Sequence, residues 1–277
     1  MIHILTDSTA DLSPELIARY NIHVIPLTVT IAGQTYKDGI NLHSKQLFEL
    51  VEQYHELPKT AAPAIPEILQ AFDPQSPNLY IGLSSRLSAT FQNVYLASQE
   101  WTQSPLRLVD SLNLSTGIGL LALRAAELRD EGLDLEDVAG QIAGMVPKVH
   151  TAFVVDTLEY LYMGGRCSAV ENLVGSLLSI RPVIEVRPDG TLGVRNKLRG
   201  SRAKALDTLL ADFQAHLDEL DRRRVFITHS GCDGDAEYLA NQIQKMAAPD
   251  EILITTAGAV ISSHCGPNTI GILYMTR

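Results

Sequence analysis

Apolar positions recur along this chain in short runs separated by polar turns, and the spacing of the runs predicts the elements. "IHILTDS" opens as a short apolar strand running into turn residues, and Ser13-Pro14 reads as the cap and first position of a helix over "PELIARY". "HVIPLTVTI" is β-branched and strand-like, and Gly33 turns it into "QTYKDG", which predicts a hairpin. A helix is expected from about Ser44, followed by the Pro/Ala-rich loop "HELPKTAAPAIPE". Strands and helices then alternate. "NLYIGL" precedes a helix near 87–100, "LRLVDS" one near 116–131, and "TAFVVD" the helical "TLEYLYMGG". Such alternation predicts a largely parallel sheet covered by helices, with ligands bound beyond the carboxyl ends of its strands. Asp7-Ser8, Ser84-Ser85 and Asp110-Ser111 end three of these strands and place polar groups at one rim.

After Gly164-Gly165 the texture changes. A helix is expected near 169–179, then a hairpin in "RPVIEVRPDGTLGVRNKLR" about its Asp-Gly turn. A long helix over 201–220, the strand "RVFITHS", a helix over 235–247 and the strands "EILITTAG" and "TIGILYM" follow. The predicted fold class is α/β. An N-terminal three-layer α/β/α domain with a largely parallel sheet spans 1–160, and a C-terminal α+β sandwich domain with a mixed sheet spans 161–277.

Composition narrows the classes. A chain of 277 residues, 45% hydrophobic and 19% charged, folds as one large domain or two smaller ones. No apolar stretch approaches the roughly 20 residues that cross a bilayer, and "MIHILTDSTA" lacks the features of a signal peptide, so no integral membrane segment and a cytoplasmic location are expected. Cys167, Cys232 and Cys265 are odd in number and far apart, which argues against a disulfide framework or a CxxC zinc site. Residues 1–160 hold 9 Lys/Arg against 19 Asp/Glu, and residues 161–277 hold 13 against 13, so the whole net charge of −10 lies in the first part. Such an acidic chain is a poor general binder of nucleic acid. One basic strip stands out: Arg181, Arg187, Arg195, Lys197, Arg199, Arg202 and Lys204 face only Glu185 and Asp189 in the same stretch. It reads as a solvated hairpin and helix start, or as a dock for an acidic protein or a phosphate.

Few residues carry recognisable chemistry. GxxxxGK[ST] and GxGxxG are both absent, which leaves ATP or dinucleotide binding without support. Ser84 or Ser85 is a candidate nucleophile, but "IGLSSRLS" is not a GxSxG elbow, and a serine at a strand end commonly caps the next helix. His264 beside Cys265 has the look of a Cys–His pair, yet adjacent side chains usually point apart. The other histidines show no metal-ligand spacing, so no metal is expected. What remains is a set of neutral donors, Thr60, Ser84, Ser85 and His264. Such a set suits an anionic oxygen, whose burial is costly unless hydrogen-bonded.

Eight segments in series resemble the DegV family of bacterial fatty-acid-binding proteins. They are "DSTADL" (7–12), "VIPLTVTIAGQTYKDG" (24–39), "PKTAAP" (58–63), "LSSRLSATFQN" (83–93), "VDSLNLSTGIGLL" (109–121), "VDTLEYLYMGGR" (155–166), "SIRPVIEV" (179–186) and "HCGPNTIGI" (264–272). The resemblance implies two α/β domains with a long-chain fatty acid in the cleft between them. It implies a carboxylate held by Thr60, Ser84, Ser85 and His264. It further implies a non-enzymatic carrier, without a cofactor, that presents its ligand to the catalytic subunit of a fatty acid kinase for acyl phosphate formation and phospholipid synthesis. Arg166, Arg199, Arg202 and Lys204 are then the candidate docking residues. The chain departs from the family pattern at Ala61, at Arg86 and Ala89 where glycines are usual, and at Cys265; Arg86 becomes a possible head-group contact. The competing readings are a serine-dependent hydrolase of an acyl ester, using Ser84 or Ser85 with His264, and a binding module for another small lipid acid.

Overall fold

The computed structural model describes residues 1–166 and 180–277. With strands numbered along the chain, β1 (His3–Asp7), β2 (Ile22–Ile25), β6 (Asn78–Gly82) and β7 (Leu106–Asp110) form an all-parallel sheet in the order β2-β1-β6-β7. Successive side chains leave opposite faces. Ile4, Leu79, Ile81 and Val109 enter one apolar cluster, while Leu5, Tyr80 and Leu108 enter another. Both faces are covered, so the strands read as nearly continuous apolar runs. The helices Ile65–Ala71 and Thr90–Glu100 cover one face, and Thr116–Asp130 and Leu135–Met145 cover the other. Ser13 caps the helix Pro14–Tyr20 as expected, accepting from the Leu16 N–H.

A second, mixed sheet has six strands in the order β10-β9-β8-β13-β11-β12. They are β8 (Val149–Val154), β9 (Ile180–Val186), β10 (Leu192–Arg199), β11 (Leu220–His229), β12 (Glu251–Thr256) and β13 (Ile270–Thr276). Its outer face packs on the helices Arg202–Gln214 and Asp233–Ala247. Its inner face, with Phe153, Ile184, Phe226 and Leu273, joins the same cluster as Ile4 and Leu79 of the parallel sheet. The Thr116–Asp130 helix lies between the two sheets and touches both. Twelve of its fifteen residues are buried, as expected for a helix apolar nearly all round.

Several expectations need correcting. The "TAFVVD" strand does not extend the parallel sheet: β8 runs antiparallel to both β13 and β9. A fully buried apolar run fits either sheet, so its pattern cannot say which it joins. The "PKTAAP" loop contains β5 (Lys59–Ala61), paired antiparallel to β3 (Thr28–Ile31) with Val29 opposite Thr60. Flanking prolines cut this strand to three residues and disguise it. The expected hairpin is present: β3 turns at Ala32 (φ 49°) and Gly33 (φ 73°) into β4 (Gln34–Lys37), completing a three-stranded sheet. The long helix stops at Gln214, and His264 stands in the last turn of a short helix, Ala259–Cys265, which Gly266 ends with φ 80°. The helix expected near 169–179 and Cys167 lie outside the described residues.

Candidate ligand-binding site

Thr60, in the middle of β5, reaches His264 across 204 residues of sequence. Its Oγ1 lies 2.8 Å from His264 Nε2. The short helix brings His264 to this point, and edge pairing with β3 brings Thr60. His264 Nδ1 is buried against Gly164 and has no hydrogen-bond partner among the described residues. A Cβ on Gly164 would stand 2.5 Å from that nitrogen, so only glycine lets the imidazole settle there. The tautomer follows from these contacts. A protonated Nδ1 would be a buried donor without an acceptor, which is rarer and costlier than an unused lone pair. Nε2–H therefore donates to Thr60 Oγ1, and the threonine hydroxyl proton is left to point elsewhere.

Both residues line an apolar cavity of about 180 Å³, walled by Leu27, Leu83, Leu114, Leu161 and Ile261. A smaller apolar space of about 30 Å³ adjoins it, sharing Leu114, Ile261 and Cys265 and reaching Phe153 and Leu273 of the second sheet. Arg166, which is exposed, also lines the larger cavity. Burial, with a smaller contribution from the Arg166 guanidinium, pushes the His264 imidazole down to about 4, so it is neutral at pH 7. The site thus offers one free hydroxyl donor and one cation on the lining of an apolar chamber. Such an arrangement receives an anionic head on an apolar tail. Three larger cavities, of about 270, 300 and 440 Å³, are lined by charged side chains instead: Glu185, Arg187, Arg195 and Asp212 in the first, Lys148, Asp221, Arg223 and Arg277 in the second, and Asp7, Asp11 and Asp38 in the third.

Of the residues singled out in the sequence, Thr60, Arg166 and His264 meet at this cavity, and Ser84, Ser85 and Arg86 do not line it. Ser84 is buried, donates to the Gly190 carbonyl at 2.8 Å and accepts from the Arg86 N–H. It ties the first half to the β9–β10 turn. Ser85 and Arg86 are exposed, and the Ser85 N–H donates to Asp110. Among the described residues, neither Ser84 nor Ser85 hydrogen-bonds His264, as a hydrolase would need, and no carboxylate orients its Nδ1. Cys265 is buried in the cavity wall. Arg202 is held internally by Asp235, by Asp156 at 3.3 Å and by the Asn268 carbonyl at 2.8 Å. Lys204 is exposed, and the Arg199 side chain lies outside the described residues.

The rim of aspartates and serines is a set of internal joints. Buried Asp7 accepts from Thr9 N, Tyr80 Oη and Leu83 N, and Ser8 Oγ accepts from Leu27 N. Sequence reading missed Gly164, Asp11 and Asp38. All three stand in the quoted motifs, but nothing local marks what they touch.

A family model described as "Uncharacterised protein, DegV family" matches residues 1–277. A DegV domain-containing protein of Caldanaerobacter subterraneus is 30% identical over 99% of this chain and 98% of its own. Among solved structures, a DegV family protein from Thermus thermophilus, described by its fatty-acid binding, is 31% identical. It superposes with a TM-score of 0.93 over 100% of this chain and 99% of that one. The fatty acid kinase B3 protein of Streptococcus pneumoniae, loaded with linoleic acid, shares the fold at 24% identity, with a TM-score of 0.87 and full coverage of both chains.

Proposed function

This chain belongs to the DegV family, and from that premise we propose that it binds a long-chain fatty acid in the cleft between its two parts. The carboxylate is held at Thr60 and His264, and the ligand is presented to a separate ATP-dependent kinase subunit for acyl phosphate formation. One observation carries the reading: the 2.8 Å Thr60–His264 pair on the lining of an apolar cavity. The threonine hydroxyl, whose oxygen accepts from the imidazole and whose proton is thereby left free, supplies the donor to the carboxylate, and Arg166 adds a cation. Donor and cation offset the cost of desolvating that group. The acyl chain follows the leucine walls toward Phe153, where each buried methylene contributes about 0.8 kcal/mol. Fatty-acid binding by the Thermus relative supports the ligand class.

No step in this proposal asks the chain to break a bond. Its residues bind and orient the acid, keep water from the tail, and leave the head near an exposed arginine where another subunit can reach it. Arg166 and Lys204 are the exposed cations we assign to that docking face. Native mass spectrometry of the gently purified protein is expected to show a fatty acid bound at one per chain. A protein that is reproducibly empty and takes up no labelled acid would overturn the binding reading. Acid-loaded protein that no ATP-dependent partner subunit phosphorylates would overturn the hand-off alone.

A further inference from the structure

The short helix Ala259–Cys265 carries His264 on its last turn, and its own sequence provides nothing to fix its first. Gly258 precedes it and has no side chain to cap the free N–H groups. Two buried carboxylates from the other end of the chain stand in. Asp38 Oδ1 accepts from the Ala259 N–H at 2.7 Å, and Asp11 Oδ1 accepts from the Gly258 N–H at 2.8 Å. Asp11 Oδ2 also accepts from Ser115 Oγ at 2.6 Å, at the start of the helix between the sheets. The fit is close: a Cβ on Gly258 would lie 3.0 and 3.1 Å from the two Asp38 oxygens and 3.2 Å from Asp11 Oδ1.

We propose that Asp11 and Asp38 are positioning residues for ligand binding, which set His264 against Thr60 by fixing the opposite end of its helix. This rests on the fatty-acid reading above. The helix is about 10 Å long, too short to bend independently at its two ends. At the far end the imidazole is held by Thr60 and by the bare Cα of Gly164. A shift at Gly258 therefore moves the ring relative to Thr60. The aspartates are a costly way to cap a helix. Burial pushes Asp38 up to about 6 and Asp11 well above the carboxylate range, with Asp7 adding repulsion to both. A local serine or asparagine would cap at lower cost but would not tie the helix to residues 11 and 38.

The test compares three variants of the full chain with wild type. The readouts are affinity for cis-parinaric acid, a fluorescent fatty acid, and the ¹⁵N-resolved ring signals of His264. Asp38→Ala is expected to weaken binding about tenfold and to shift the ring signals. Asp38→Asn keeps an acceptor oxygen and is expected to stay within about threefold of wild type. Gly258→Ala keeps every polar group but crowds both carboxylates. It is expected to weaken binding several-fold, move the same ring signals and leave most of the thermal stability. A folded Asp38→Ala or Gly258→Ala protein with wild-type affinity and unmoved ring signals would overturn the proposal, as would equal loss in Asp38→Asn and Asp38→Ala. If Asp38→Ala does not fold, the other two variants decide. If wild type does not bind the probe, the fatty-acid reading fails instead, and the ring signals still report whether the clamp positions His264.

Discussion

His264 sits where burial, and secondarily the Arg166 guanidinium, disfavour its cation, and its value falls from 6.5 to about 4. The unfolded chain therefore takes up the proton first as pH drops. The stability contributed by neutral His264 is complete above about pH 6.5 and is lost as pH falls toward 4, about 3 kcal/mol in all. His150, also lowered to about 4 by burial, contributes a second loss over the same range. Asp38 and Asp11, raised by burial, act with the opposite sign over the same range, so the check is differential: in urea unfolding at a series of pH values, His264→Gln is expected to lose less stability than wild type between pH 6.5 and 4. At the same scale, Thr60→Val deletes the hydroxyl and keeps the shape. It is expected to weaken fatty-acid binding about tenfold, measured by displacement of a fluorescent acid. Cys265→Ser should leave that affinity nearly unchanged. Thr60 and His264 could be singled out in the sequence as neutral polar side chains. Their meeting was not legible there, and neither was Gly164, whose role is to have no side chain next to Nδ1.

Among elements, the β3–β4 hairpin and the β5 edge strand decide where Thr60 stands. The turn places Ala32 at φ 49°, a left-handed conformation that an alanine holds at some cost. Ala32→Asn gives the Asn-Gly pair favoured in such turns and is expected to raise stability by about 0.5–1 kcal/mol, read as a higher midpoint in urea with unchanged slope. Arg202 belongs to this scale as well. Its contacts with Asp156, Asp235 and the Asn268 carbonyl join the Arg202–Gln214 helix to the loops that follow β8 and the His264 helix. Strands, the hairpin turn and the Ser13-Pro14 helix start could all be read locally, since periodicity, Gly33 and capping chemistry act within a few residues. β5 and the His264 helix could not, because three and seven residues are too few to show a period.

For the molecule as a whole, one apolar layer is shared by both sheets. The Thr116–Asp130 helix fills it, and a partly buried network reinforces it. There Arg224 of β11 bonds Tyr20 Oη at 2.9 Å, Glu127 at 3.1 Å and Glu251 at 2.8 Å. Leu121, fully buried in that helix, belongs to the apolar cluster that both sheets share. Leu121→Ala is expected to cost about 2–5 kcal/mol, and calorimetry should show one transition moving down rather than two separating.

By itself the sequence determined the mixed α/β character, the parallel character of the first sheet and the beginnings of most helices. Each of these follows from side-chain size, polarity and backbone preference over short spans. Tertiary structure alone decided that β8 leaves the first sheet for the second, that Ser84 spends its hydroxyl on Gly190, and that Asp11 and Asp38 cap a helix more than 200 residues away. Those outcomes depend on which buried polar groups find partners once two apolar faces close on a single helix. No local pattern encodes such a partner, because the energy of the contact exists only after distant segments have been brought together.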